Sequence, residues 1–346
     1  MSFKQLPLPP HYDEGQNFDE NYYPNTAQLL QQVEEWRKKH DVKPAAGDKR
    51  RFSVLDIDSQ NDFTWLSGAL PVLGRSGKGS MEAQQRKVEW GYKYLPYITG
   101  WTNTMDFHPL FQVSSVTGHV RKDDGSHPVA NVPITLDDYR KNYRPNPAMC
   151  KMLGVDPLWL ERQFLFYIAE LQKNGKPLEP WGLHCLAGDR GAALTGVVEA
   201  LRLFHAFVRG AHNTVEVKGT SPLTEHYSIF RPLVMRLFDG RPIPGVQKNT
   251  RLIDNLTGSD AVAIMGLASS HCVTESIKDF LTEIMTIDQN LVKKVYIVRD
   301  CTAAVVVPGI IDYTDDAEKA FSEFEAAGMH VVESTTPLED WPDINL

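Results

Sequence analysis

The sequence predicts an α/β fold: a three-layer α/β/α arrangement around a mostly parallel sheet of roughly six strands, carrying an N-terminal arm and a long insert. Two observations lead there. Short apolar runs alternate with amphipathic, helix-length segments over most of the chain, and strands joined by helices make parallel sheets covered on both faces. The run Ala261–Met265 is apolar throughout, as a strand buried on both faces should be.

Residues 1–50 are rich in Pro, Asn, Gln and charge and hold one helix, Thr26–His40, opened by an Asn25 cap. This segment reads as an arm packed on the body or on another subunit. The main domain runs over 51–346. Phe52–Ile57 is its first strand, Met81–Tyr94 a helix and Tyr97–Thr104 a second strand interrupted by Gly100. From about 113 to 179 the alternation breaks into polar turns and Pro-bearing loops. This insert holds a helix over Pro157–Lys173 whose apolar face (Leu158, Leu160, Phe164, Leu165, Ile168, Leu171) must be buried against the body or a neighbouring subunit. Alternation then resumes with helix Gly188–Arg209, strand Thr214–Val217, helices Ser228–Phe238 and Asn249–Leu256, and the strand at Ala261. A helix after Cys272 follows, with Val273, Ile277, Phe280, Leu281 and Ile284 on one face. Strand Lys294–Val298, helix Asp315–Ala327 and strand Met329–Val332 complete the pattern.

A chain of 346 residues has room for one large domain or two, and 42% hydrophobic with 23% charged residues is ordinary for a globular protein. A net charge of −8 argues against nucleic-acid partners and anionic membranes. No apolar run approaches the roughly 20 residues that span a bilayer. The segment Met1–Pro7 lacks an apolar signal core, so we expect no export. Four scattered cysteines suit a reducing cytoplasm better than a disulfide framework.

Chemistry concentrates where candidate strands end. Cys272 lies in Gly266-Leu267-Ala268-Ser269-Ser270-His271-Cys272-Val273, between a strand and a helix, where free N–H groups favour a thiolate; a small buried core cysteine is the plainer reading. Asp58 opens Asp58-Ser59-Gln60-Asn61-Asp62-Phe63 at the end of the first strand, in the crevice where open α/β sheets do chemistry, though Asx turns in a polar loop would explain the same residues. Asp106 and His108 share one side of an extended segment, and with His184 they make a donor set for zinc, iron or manganese. Lys218 ends a strand; a solvated lysine is the plainer reading, and one standing beside a thiol would lower that thiol's pKa or shuttle its proton. The Gly74–Ser80 run lacks the spacing of a phosphate loop, and no GxGxxG follows a strand.

In this order the motifs Asp58-x-Gln60-Asn61-Asp62-Phe63, Gly68-x-Leu70-x-Val72, Asp106-x-His108, Trp181-x-x-His184, Lys218-Gly219 and Gly266-x-Ala268-x-x-His271-Cys272-Val273 resemble the isochorismatase-like cysteine hydrolases, and within them the nicotinamidases (pyrazinamidases). The similarity spans roughly 52–112 and 180–335. Gln112 departs from it, standing where many members carry a further histidine.

The resemblance implies a triad of Asp58, Lys218 and Cys272, an oxyanion hole from the N–H groups of Ala268 and Cys272, and a cis peptide at Leu267–Ala268. It implies a divalent metal, zinc first with iron or manganese as alternatives, on Asp106, His108 and His184, and a substrate ring held by Phe63, Trp181 and Tyr227. The implied reaction is hydrolysis of a small ring carboxamide, nicotinamide to nicotinate and ammonia, within NAD salvage. The alternatives are a non-pyridine carbamoyl or ureido substrate and a silent small-molecule-binding member. We further expect a small-molecule amide as partner, a homo-oligomer and a cytoplasmic location.

Overall fold

The computed structural model describes residues 3–346. The described residues divide into two compact units, one of 3–105, 193–216 and 250–346, the other of 106–192 and 217–249.

The first unit is built on a six-stranded parallel sheet. Its strands are β1 (Phe52–Ile57), β2 (Gly100–Asp106), β3 (Asn213–Lys218), β4 (Ala261–Leu267), β5 (Val295–Ala303) and β6 (His330–Val332). They lie in the order β6-β5-β4-β1-β2-β3. Centrally placed β1 pairs along its length with β4, from Phe52–Ala261 to Ile57–Gly266, and with β2, from Ser53–Gly100 to Asp56–Asn103. All seven residues of β4 are buried.

Among the described residues, the helices of eight or more residues in this unit are α1 (Thr26–His40), α2 (Gly79–Lys93), α3 (Gly196–Arg209), α4 (Thr250–Thr257), α5 (Thr274–Ile287) and α6 (Thr314–Ala326). Alternate strand residues point to opposite faces, and Phe52, Val54, Ala261, Ala263 and Met265 join one core with Leu29, Val33 and Trp36 of α1, Val88 and Trp90 of α2, and Leu201 and Phe204 of α3. Helix α5 packs with α4 and α6. Local chemistry sets α1: the Asn25 side chain accepts from the Gln28 N–H at 3.2 Å, and Arg37, Lys38 and Lys39 put positive charge at its C-terminal end. The arm is also tied down by buried Arg209, which donates to the Lys43 and Ile98 carbonyls and to Asp48.

The second unit has its own core. Leu160, Phe164, Ile168 and Leu171 of the helix Pro157–Lys173 pack with Val113, Tyr139, Met149, Leu223, Val234 and Ile243. Asp156 caps that helix by accepting from the N–H groups of Leu158 and Trp159, and Pro157 occupies its first turn, where no intrahelical donor is needed. Most of the helix's apolar face is therefore satisfied within this unit, while Leu158 is 65% exposed.

Several expected elements differ. No helix forms over 228–238. Pro232 removes a donor there, and the remaining N–H groups bond elsewhere: Phe230 to Ser228 Oγ, Leu233 to the Glu225 carbonyl and Val234 to Thr224 Oγ1. The helix expected from Gly188 starts at Gly196, because the preceding backbone pairs with the turn after β1: Asn61 N–H donates to the Ala193 carbonyl and Thr195 N–H to that of Ser59. Strand β2 begins three residues later than expected, after a 3₁₀ turn at Leu95–Tyr97, and takes in Asp106 as its last residue.

Candidate functional site

In the first unit, β1 and β4 are neighbours, and the chain after each turns sharply. Asp58, fully buried, has φ +49°, so the strand ends there abruptly. Its N–H donates to Thr104 Oγ1 at 3.1 Å, and the same hydroxyl donates to Asp58 Oδ1 at 2.6 Å. After β4 the peptide Leu267–Ala268 is cis, as the family resemblance implied, and Ser269–Val273 forms a single π-helical turn running into α5. Gly266, at φ +120°, is required by close approach: a Cβ there would lie 2.1 Å from the Ile57 carbonyl oxygen. Within that turn Cys272 is buried, and its Sγ lies within 4.8 Å of a carboxylate oxygen of Asp58. A carboxylate and a thiol so placed have the chemistry that an acid–base and nucleophile pair requires. Phe63 is buried in the short helix Asn61–Thr64 after β1.

In the second unit, Asp106, His108 and His184 each offer a donor atom within 4.8 Å of the others, all three buried. Asp106 Oδ2 faces His108 Nε2 at 3.1 Å, and its other oxygen faces Lys218 Nζ at 3.1 Å. Backbone pairing holds the set. Phe107 N–H donates to the Lys218 carbonyl, His108 N–H to that of Cys185, and Ala187 N–H to that of His108. Gly219, at φ +80°, must be glycine, because a Cβ would lie 2.5 Å from Asp106 Oδ1. The Gly182 carbonyl accepts from His184 Nδ1 at 2.8 Å, so Nε2 is the ring nitrogen with an acceptor lone pair.

The three groups perturb one another's charges. Burial acts to raise the Asp106 carboxyl, but His108 and Lys218 outweigh it and hold it well below the usual range. Burial pushes His108 down, yet Asp106 and Glu225 carry it up to about 9. His184 is lowered by burial and by its neighbour His108. Two imidazoles and a carboxylate suit a divalent transition metal, and the 3.1 Å separation of Asp106 Oδ2 and His108 Nε2 matches adjacent ligand atoms each about 2.1 Å from one ion. The residues fit a metal.

Trp181 Nε1 donates to Tyr227 Oη at 2.8 Å, and the two rings meet edge to face at 90°, so Tyr227 fixes the indole. Gln112 is no ligand: its amide nitrogen points at the carbonyls of Gly219, Ser221 and Thr224, at 3.0, 3.0 and 3.2 Å, and pins that loop. Sequence reasoning passed over Glu225, a buried carboxylate bonded to Ser114 Oγ and the His226 N–H that lines one small pocket with His108, His184 and Trp181. Its only signal was a carboxylate seven residues after Lys218. Thr104 was passed over as well, although it stands two residues before Asp106 on the same side of β2.

No family model matches the sequence, and no curated protein matches it. Solved structures do. The yeast nicotinamidase Pnc1p is 16% identical with a TM-score of 0.50, the match covering 82% of this chain and 99% of that one. Pnc1p bound to the inhibitor nicotinaldehyde gives the same figures. An Acinetobacter baumanii nicotinamidase matches at 16% identity over 83% of this chain and 98% of its own, with a TM-score of 0.47. At such identity the likeness is one of fold: the chain shares the three-layer α/β fold of Pnc1p.

Proposed function

We propose that the chain is an amidohydrolase that cleaves a small ring carboxamide, nicotinamide first, with Cys272, Asp58 and Lys218 as its triad. The observation that carries this reading is the approach of Cys272 Sγ to the Asp58 carboxylate within 4.8 Å, at the carboxyl ends of neighbouring strands. The metal-type cluster of Asp106, His108 and His184 narrows the reading, since in the family resemblance it accompanies pyridine carboxamides.

Asp58 takes the Cys272 proton, and the thiolate adds to the amide carbon, moving an electron pair onto oxygen. The N–H groups of Ala268 and Cys272 receive that oxyanion; a donor of this kind is worth about 10²–10³ in rate. Collapse breaks the C–N bond, and Asp58 returns its proton to the departing ammonia. A thioester remains. Asp58 then draws a proton from water, which displaces the thiolate and yields the carboxylate. Lys218, paired with Asp106, stabilises negative charge during these steps. Asp106, His108 and His184 would hold a divalent ion, zinc in the first instance, that supplies a Lewis acid for the ring nitrogen and orients the substrate. Phe63, Trp181 and Tyr227 bind the ring.

A non-pyridine carbamoyl or ureido amide is the second reading, favoured by Gln112, which spends its amide on backbone carbonyls where many relatives have a histidine. Ammonia release across a panel of amides decides. Nicotinamide as the best substrate supports the first reading, a ureido compound the second, and no release from any amide leaves a binding protein. Among the described residues no helix is long and apolar enough to cross a membrane.

A further inference from the structure

Beneath Asp58 lies an ion pair that the proposed reaction does not use. Lys87 Nζ of α2 meets Asp56 Oδ1 of β1 at 2.6 Å, with both side chains almost wholly buried, at 2% and 0% exposed. Asn103 of β2 donates to the other Asp56 oxygen at 2.8 Å. Ser59 Oγ donates to Asp56 Oδ1 at 2.6 Å and also contacts Lys87 Nζ. Desolvating two charges usually costs as much as their attraction returns, and apolar replacements are often neutral or better, so such a pair needs a reason beyond stability.

Its placement supplies one. The network grips the residue two before Asp58 and the residue just after it, across the one left-handed backbone position where β1 ends. Thr104, next to Asn103 on β2, holds the Asp58 carboxylate itself. The chain at Asp58 is therefore fixed on both sides by groups attached to a helix and a neighbouring strand. A carboxylate on such a turn would otherwise rotate with the loop that follows it.

We propose that Lys87, Asp56 and Ser59 are positioning residues that hold the Asp58 carboxylate in register with Cys272. This rests on the reading of Asp58 and Cys272 as acid–base and nucleophile, and it deepens that reading.

The test uses the full chain with Ser59→Ala, which cuts the tether and leaves the ion pair with Asn103, and with the double variant Asp56→Asn/Lys87→Met, which neutralises the pair without stranding a buried charge. Two readouts are taken beside wild type and Asp58→Asn: the rate of Cys272 alkylation by iodoacetamide at fixed pH, and kcat and KM for ammonia release. We expect both network variants to move the alkylation rate toward the Asp58→Asn value, and kcat to fall by about tenfold with KM within twofold, as loss of orientation does. Wild-type alkylation and kcat in both folded variants overturn the proposal. So does an Asp58→Asn protein that alkylates like wild type. If wild type releases no ammonia from any amide, the hydrolase reading fails by itself, and the alkylation comparison still decides the positioning role.

Discussion

The two units solve the same problem by different means. In the first, Asp58 and Cys272 are placed by regular structure: neighbouring parallel strands in full register, each ending in a forced turn, one at φ +49° and one after a glycine that no other residue could replace. In the second, Asp106, His108, His184 and Glu225 are placed mostly by irregular backbone, with side chains such as Gln112 and Ser114 bonding to neighbouring segments in place of ladder hydrogen bonds. A reacting pair needs fixed directions, which strands provide. A cation needs converging donors from several segments, which loops provide if their backbone groups are satisfied.

Substitutions should separate the two sets of residues. Cys272→Ala should remove ammonia release by on the order of 10⁴-fold or more while leaving bound metal at the wild-type level. His108→Ala and His184→Ala should do the converse, lowering metal content and raising KM for nicotinamide, with Cys272 still open to alkylation. Metal content unchanged in both histidine variants would make the second unit's cluster structural.

The hydrophobic cores give the next largest effects. Phe164 and Phe204 are fully buried, one in each unit. Truncation of either to alanine should cost about 3–5 kcal/mol, read by denaturant unfolding. A cost below about 1 kcal/mol for Phe164→Ala would deny the second unit a core of its own.

Acid should test both units. Burial lowers His119 in the second unit and His205 in the first to about 4. Their folded pKa lies below the unfolded value near 6.5, so between these limits the unfolded chain binds more protons. Stability is full above about pH 6.5 and falls as pH drops toward 4, by roughly 3 kcal/mol for each histidine. Replacing either by glutamine should flatten that part of the stability–pH curve, and an unchanged slope would show that the histidine is not buried neutral. The smallest effect is local: Asn25→Ala should cost about 1 kcal/mol by removing the α1 cap.

The sequence was most readable where the signals were local. Helices Thr26–His40 and Pro157–Lys173 have the bounds expected of them, because Asn25, Asp156 and Pro157 write their own starts. Six strands were legible because each is short and alternates with helix-length segments, although β2 and β3 carry several polar residues. The expected helix over 228–238 failed because its apolar spacing was real but its donors were committed to distant acceptors, which spacing does not reveal. Lys87 was invisible for a related reason. On a helix it reads as a solvated cation, and only the fold brings it to Asp56, 31 residues away. The candidate nucleophile, acid and ligand residues stood in recognisable motifs, whereas Thr104 and Asp56 lie outside any motif and Ser59 is only the unspecified position of one.

The central claim is that Cys272 is the nucleophile of an amide hydrolysis. The most direct measurement is ammonia released from nicotinamide as a function of the fraction of Cys272 alkylated, with Cys150, Cys185 and Cys301 followed by peptide mapping. The account predicts that release falls in proportion to Cys272 labelling and reaches zero when labelling is complete. Full release from protein completely alkylated at Cys272, or no release from the unlabelled protein, would contradict it.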